Sequence, residues 1–469
     1  MKKAVVFSFK CFLVILPLLL FVIYARTSFL GFADLEVPNY LWNKELCNST
    51  QEKVYDTVIL GDSSANAAYI PEVLSGSTIN LSLGGITSAE TYYIMQNYLK
   101  KHEAPRDVFI SFIDFHLAIS DCFWNRTLYS HLLSTEQNWD IVQRAKKLNE
   151  PSIGTKTAYA DLISYEMYLP NKYITSLENA SFNQRLEENM ATIERASLHR
   201  GRYIDDKNAE GEPKDLKYSE FTVTPLYNYY YKALIELCLA RNIKVHLIKL
   251  PLPQTTVFTT EYIQQFEDYF NQLQIEYPSI TVDLFGNDYP TSSFVDPIHF
   301  NRRGALNFSC ELRKQYSDAF DTVMDSSQIK CLDQDIIEED QIDEIFKWAT
   351  VGPYTLLIYD GCGDFDKMYA DQLVQESLNV KKAAVKNSED LTVYVLGTSV
   401  GSNKSTIVVK EEAGLSVYPD ISGNDASKYL WNPYDVRGLD VLIINNTDGR
   451  VLTEKKFDYI ESSKFVLRS

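Results

Sequence analysis

The sequence predicts an α/β protein whose sheet is mainly parallel and covered by helices on both faces. Three observations carry that prediction. Short apolar runs suited to strands alternate with longer stretches of helical periodicity. The early runs end at turn-forming or polar residues such as Gly61-Asp62, Gly84-Gly85 and Pro251. The rhythm lapses across one polar, strand-poor stretch and then resumes, as expected of an insertion between strands rather than a second domain. An N-terminal transmembrane helix is expected before this unit and a β-rich domain after it.

Taken in order, Lys2 and Lys3 precede an apolar run from Ala4 to Tyr24, broken mainly by Ser8 and Lys10. The uncharged part, Cys11 to Ala25, falls short of the roughly 20 residues that cross a bilayer. Snorkelling of Lys10 to the headgroups restores the length. A cleaved signal peptide is the alternative, but Ile23-Tyr24-Ala25-Arg26 matches an A-x-A cleavage site poorly. Residues 1–25 are therefore expected to be an uncleaved signal-anchor. The positive-inside rule leaves Lys2 and Lys3 in the cytoplasm and the bulk of the chain extracytoplasmic, at the cell surface or in a periplasm.

Residues 50–322 carry the α/β rhythm. Thr57-Val58-Ile59-Leu60 is a strand apolar enough for burial on both faces. Pro71 to Leu74 reads as a short helix, Thr78 to Leu81 as the second strand, and Ser88 to Lys100 as a helix capped by Ser88. Asp107 to Ile113 is the third strand. Residues 120–220 are polar and helical, read as a lid or partner surface. Beyond them come a helix over about 225–241, a strand at Lys244 to Ile248, a helix over 260–275, a strand at Ile280 to Leu284 and a closing helix from Arg303 to Tyr316.

Residues 323–344 are expected to be an acidic linker, with Asp333-Gln334-Asp335 and Glu338-Glu339-Asp340. Residues 345–469 then turn β-rich, with strands near 354–359, 391–396, 405–409 and 440–444, a hairpin signal at Asn446-Thr447-Asp448-Gly449 and a helix over 364–378.

Composition narrows the function classes. A chain of 469 residues suggests two or three domains. Its 45% hydrophobic and 23% charged residues are those of a folded protein. A net charge of -18 argues against nucleic acid, which needs a basic footprint. The seven cysteines show no metal-ligand spacing, so neither a metal nor a soluble cofactor is expected, and buried thiols are the simpler reading.

Two motifs carry the chemistry. Gly61-Asp62-Ser63-Ser64 directly follows the first strand, and Asp296-Pro297-Ile298-His299 is followed by Phe300-Asn301 and Gly304-Ala305. A serine hydroxyl needs a base within hydrogen-bond reach, and the base needs an orienting group. It also needs N–H donors for the developing oxyanion. Ser63 at a strand-to-helix junction, with Gly84 or Gly85 at the end of the neighbouring strand, offers such donors. Asp296, three residues before His299, can hold one imidazole nitrogen while the other faces Ser63. Asp62, Ser64, Asp114 and Asn301 are candidates for the wall of the same site, although Asp62 more simply reads as a turn or cap. Structural roles are the simpler reading for Asp114 and His116, with Asp114 the better site candidate.

With these residues the chain resembles the SGNH/GDSL hydrolase superfamily. The matching segments are Val58 to Ser64, Asn80-Leu81-Ser82-Leu83-Gly84-Gly85-Ile86-Thr87, and Phe294 to Asn301 with Gly304-Ala305. Within the superfamily it looks like the membrane-anchored branches that modify polysaccharides, such as the teichoic-acid D-alanyl transfer proteins and the alginate O-acetyltransferase group. The resemblance covers about residues 50–320 and implies an SGNH-like three-layer sandwich. It implies Ser63 as nucleophile, His299 as base, Asp296 as orienter, and oxyanion donors at Ser63 and Gly85. The family's third block usually ends Gly-x-Asn-Asp, whereas this strand ends Phe112-Ile113-Asp114-Phe115-His116. Residues 437–458 also look faintly like the interleukin-like EMT-inducer β domain, a hint of glycan or partner binding.

The expected function is an extracytoplasmic O-acyl- or O-acetyltransferase acting on a polysaccharide through an acyl-enzyme. Its implied partner is a multi-spanning acyl exporter of the membrane-bound O-acyltransferase type. An esterase with the same triad, and a non-catalytic scaffold that binds glycan, are the alternatives.

Overall fold

A computed structural model describes residues 2–50, 53–120, 122–166, 181–204, 217–284, 289, 291–320 and 336–349, and from 354 onward mainly the strands and two helical residues. Helix α1 (Lys2–Thr27) contains a 20-residue stretch, Val5 to Tyr24, of mean hydropathy 2.7 with none of it buried. It is long and apolar enough to cross a membrane. Its C-terminal end is fastened to the rest of the chain by aromatic packing. Phe21 and Tyr24 meet Phe32 edge-on at 6.1 and 5.8 Å, and Phe182 meets Phe32 at 5.1 Å.

The central sheet comprises β1 (Thr57–Gly61), β2 (Thr78–Asn80), β3 (Asp107–Ser111), β4 (Lys244–Lys249) and β5 (Thr281–Leu284). Its order is β2-β1-β3-β4-β5 and every pairing is parallel. The first three strands are buried along their whole length, which suits their unbroken apolar runs. Alternate side chains feed two separate cores. Val58, Leu60, Val108 and Ile110 pack into one, and Ile59 and Phe109 into the other. The chain reverses its direction of travel across the sheet between β1 and β3. A crevice opens there beyond the carboxyl ends of the strands, the usual ligand position in such sheets.

Helices α2 (Val37–Asn48), α5 (Ser88–Lys101), α9 (Pro225–Leu239) and α10 (Thr260–Glu276) contribute to the first core. Helices α3 (Ser63–Ala68), α4 (Pro71–Leu74) and α11 (Arg302–Gln315) contribute to the second. The cap of α5 is Thr87, one residue before the expected Ser88. Thr87 forms a capping box with Glu90, whose carboxylate accepts the Thr87 N–H at 3.0 Å. A box partner must lie three residues after the cap to reach back, and Glu90 fits only Thr87.

The expected insertion at 120–220 is mainly helical where it is described, with α6 (Thr135–Lys147), α7 (Ala158–Glu166) and α8 (Phe182–Leu198). It also carries a two-residue strand, Lys217–Tyr218, paired in parallel with Val257–Phe258. Asn189 of α8 donates to the carbonyls of Leu30 and Ala33 at 2.6 and 2.9 Å, tying the insertion to the turn after α1.

The C-terminal strands β6 (Tyr354–Asp360), β7 (Val380–Ala384), β8 (Thr392–Leu396), β9 (Gly438–Asn445), β10 (Val451–Ile460) and β11 (Lys464–Leu467) form an antiparallel sheet. Its order is β11-β10-β9-β6-β8-β7. A two-stranded ribbon, Val408–Glu411 with Leu415–Tyr418, stands apart from it. One apolar cluster runs from Ile59 through Phe308 and Leu312 of α11 to Phe346 and Trp348 of α12 (Ile342–Ala349) and on to Tyr354, Leu356 and Val441 of this sheet. Of the expected linker, Asp333 to Asp335 lie outside the described residues. So do the hairpin signal at 446–449, the start of the strand expected at 405 and, apart from Phe365 and Tyr369, the helix expected over 364–378. None of the described cysteines (Cys11, Cys47, Cys122, Cys238 and Cys310) forms a disulfide, and Cys331 and Cys362 lie outside the described residues.

Candidate active site

The two sequence motifs meet. The Ser63 Oγ lies 2.8 Å from His299 Nε2, and His299 Nδ1 lies 2.7 Å from Asp296 Oδ2. Local geometry accounts for each position. Ser63 is the first residue of α3, half-buried at the crevice where β1 ends. Gly61 precedes it with φ +153, and a Cβ there would stand 1.9 Å from the Ser111 carbonyl, so β1 and β3 close up only around glycine. The His299 loop is pinned as a tight reversal. Val295 N–H donates to the His299 carbonyl at 2.9 Å, Asn301 N–H to the Ser293 carbonyl at 3.0 Å, and the Phe294 and Phe300 rings stack at 4.5 Å.

Asp296 is oriented by its own loop. Its Oδ1 accepts the N–H groups of Ile298 and His299, both at 2.9 Å. Partial burial works to raise its carboxyl. The hydrogen bond and charge of His299, with the two N–H groups, outweigh that and hold it below the usual carboxylate range. Asp296 is therefore an acceptor toward His299, which sets Nδ1 as the donor and turns the basic Nε2 toward Ser63.

Gly85 sits across the crevice in a turn with φ +76. A Cβ there would stand 2.0 Å from Cys122 Sγ, so the turn needs glycine for both its backbone angle and its packing. Neither the Ser63 N–H nor the Gly85 N–H donates to any of the described residues. Gly84 differs from the expectation that it could serve as a donor. Its N–H is used, donating to the Tyr203 hydroxyl at 2.7 Å, while its carbonyl accepts from Tyr40 and from Arg126. Gly84 is the clamped residue that holds Gly85 in place.

Four residues expected on the wall lie elsewhere. Asp62 is fully buried beneath Ser63, where Oδ1 accepts the Ser64 N–H at 2.9 Å and caps α3. Its Oδ2 accepts from Ile113 N–H and His116 Nδ1, both at 2.7 Å. Ser64 is buried because the second residue of α3 turns inward. Asn301 is buried as the cap of α11, its side chain accepting the Gly304 N–H at 3.0 Å. Asp114 opens a one-turn helix that turns its carboxylate toward the Tyr262 hydroxyl. Burial raises its carboxyl to about 6, with Lys249 opposing and Asp62 reinforcing.

The cleft holds about 420 Å³ and is lined by Ser63, Gly84, Gly85, Asp296 and His299, closed by Glu36, Phe115, His116, Arg126 and Tyr203. Those last five escaped the sequence reading as wall residues. Arg126 and Tyr203 come from the insertion, and Arg126 pairs with Glu36, which lies just before α2. Asn66 of α3 draws Tyr203 in, its amide oxygen accepting the Tyr203 and Ile204 N–H groups at 3.0 and 3.1 Å. A buried Asn three residues after Ser63 is the one sequence signal that could have pointed there. A larger open groove of about 970 Å³, lined by Lys44, Asn97, His131 and Gln137, contains none of the motif residues. Among the described residues no group of His, Cys, Asp and Glu is arranged to hold a metal. Neither known protein-family models nor curated proteins match the chain.

Proposed function

We propose that this chain is a membrane-anchored serine O-acyltransferase of SGNH type that acylates an extracytoplasmic polysaccharide. The observation that carries this reading is the hydrogen-bonded series Ser63–His299–Asp296, with two backbone N–H groups at the same cleft. Ser63 Oγ attacks the acyl carbonyl as its proton passes to His299 Nε2. The carbonyl oxygen takes up the electron pair and faces the N–H groups of Ser63 and Gly85. Collapse expels the donor's leaving group with the proton held by His299 and leaves the acyl group esterified on Ser63. A sugar hydroxyl then repeats the sequence in reverse, giving its proton to His299 and taking the acyl group.

The parallel five-stranded sheet, with Ser63 at the reversal of strand order, supports the SGNH assignment. Transfer rather than hydrolysis is favoured by the closeness of the cleft to the anchor. Glu36 lines the cleft only nine residues after α1 ends, and the intervening turn is packed on Phe182 and Asn189. At roughly 3.3–3.6 Å per residue even a straight connection is about 30 Å long, so the site faces donors presented at the membrane surface. In this reading the basic N-terminus stays in the cytoplasm, and a multi-spanning acyl exporter supplies the acyl group.

The test uses the full chain in detergent, wild type and Ser63→Ala, with a chromogenic acetyl ester and with or without an oligosaccharide acceptor. The proposal expects Ser63-dependent turnover that shifts from free acetate to acetylated sugar when acceptor is added. Hydrolysis alone would make the chain an esterase. Turnover independent of Ser63, or none, would leave a scaffold.

A further inference from the structure

Leu83 to Ile86 form a tight turn at the cleft. The Ile86 N–H reaches the Leu83 carbonyl at 3.5 Å, and Gly85, third in the turn, has φ +76. A type II turn has about +80° at this position. Type I and type II turns differ chiefly in their central peptide, which is turned over between them. Here the central peptide joins Gly84 to Gly85, and glycine at the third position admits both forms. The same peptide carries the Gly85 N–H, so the form of the turn decides which way that N–H points.

Three side chains fix the form. Tyr40 of α2 donates its hydroxyl to the Gly84 carbonyl, and Arg126 Nη1 donates to the same oxygen at 3.3 Å. Tyr203 accepts the Gly84 N–H at 2.7 Å and holds the preceding peptide. Tyr40 is fully buried, and burial pushes its hydroxyl well above the usual tyrosine range, so it stays protonated and donates. A trans peptide is planar, with its C=O and N–H pointing in opposite directions. Donors on the Gly84 carbonyl therefore turn the Gly85 N–H away from buried Tyr40 and leave it to the cleft that Gly85 lines.

Resting on the acyl-transfer reading above, we infer that Tyr40 is a positioning residue for the reaction, locking the Gly84–Gly85 peptide in its type II form and so aiming the Gly85 N–H at the developing oxyanion. Arg126 is the second lock on the same carbonyl. Hydrogen bonds accepted by a carbonyl also polarise its peptide and strengthen the N–H at the other end. Release of the carbonyl frees the peptide to turn over, which replaces a donor with a carbonyl oxygen that repels the oxyanion. Tyr40 moves no proton and acts on the reacting atoms only through Gly85; the proton of Ser63 still goes to His299.

Tyr40→Phe keeps the buried ring and removes only the hydroxyl. On the full chain in detergent, with a chromogenic acetyl ester, it is expected to lower kcat at least about fivefold with KM changed little. Arg126 still holds the carbonyl, so the loss stays below the about 10²–10³ of a missing oxyanion donor. Methylboronic acid, which adds to a serine hydroxyl as a tetrahedral mimic of the acetyl intermediate, should bind more weakly by the same factor. Arg126→Met, which removes the other donor, is expected to show the same paired loss and serves if Tyr40→Phe does not fold. Tyr230→Phe is the control: it loses a buried hydroxyl bonded to Asp140 at 2.7 Å, outside the cleft, and should keep both values. A smaller loss of kcat in Tyr40→Phe would overturn the inference. So would a loss that leaves methylboronic acid binding unchanged, or one that Tyr230→Phe shares. Ser63→Ala run alongside keeps the two readings apart. If Ser63→Ala matches wild type, the acyl-transfer reading fails and takes this inference with it. If Ser63→Ala is inactive while Tyr40→Phe is unimpaired, this inference alone fails.

Discussion

Replacing Asp296 by Asn tests the orientation of the base while leaving the fold in place. Asp296 accepts three hydrogen bonds, from His299 Nδ1 at 2.7 Å and from the N–H groups of Ile298 and His299 at 2.9 Å each. An asparagine carbonyl still satisfies the two backbone donors. Its NH₂ then faces Nδ1, which must turn its lone pair outward and carry its proton on Nε2. His299 so arranged points a proton at Ser63 and cannot take one. The corresponding change in a serine protease lowers kcat by about 10⁴, which is about 5 kcal/mol of transition-state stabilisation. Because the Asp296 side chain is 43% exposed and its backbone partners keep an acceptor, the thermal midpoint should move little. Initial rates on a chromogenic acetyl ester, alongside thermal denaturation of the same samples, check both halves. A kcat within tenfold of wild type would refute the reasoning.

Three further outcomes follow from the geometry. Gly85→Ala places a Cβ 2.0 Å from Cys122 Sγ at φ +76; kcat is expected to fall about 10²-fold or more as the N–H shifts, and adding Cys122→Ala should restore only part of it. Asn301→Ala removes the cap of α11 and should destabilise the chain by about 1 kcal/mol in denaturant titration, with kcat per folded molecule changed far less. Asp114, raised to about 6 by burial, binds its proton more tightly folded than unfolded. Its contribution is therefore full below about pH 4 and is lost as the pH rises to about 6, at most ~3 kcal/mol. Asp114→Asn should flatten that segment of the stability–pH curve, and an unchanged slope would contradict the assignment.

How much of this was legible in the sequence depends on the range of the signal. The five parallel strands, the short Pro71 helix and the closing helix each carry their own periodicity and turn residues, and the structure has them. The two halves of the Ser63–His299–Asp296 series were also readable, because each is a compact motif at a strand end. The cleft wall was not. Arg126 and Tyr203 come from an insertion with no regular pattern, and Glu36 from before the first strand, so only tertiary folding brings them to Gly84. Asp114 and His116 are two residues apart, and sequence could not say which faces the crevice. The single helical turn they share sends Asp114 to Tyr262 and His116 to Asp62. Asn301 shows the converse. Its place beside His299 suggested the wall, but a buried cap at the start of α11 is what the helix required.

The most direct test of the central claim is to trap the acyl-enzyme. Full-length protein in detergent, mixed with excess acetyl ester and quenched in acid before turnover completes, is digested and read by mass spectrometry. The account predicts one added acetyl group on the peptide carrying Ser63, absent in Ser63→Ala and discharged when an oligosaccharide acceptor is added. An unmodified Ser63 peptide during Ser63-dependent turnover, or acetylation that persists in Ser63→Ala, would contradict it.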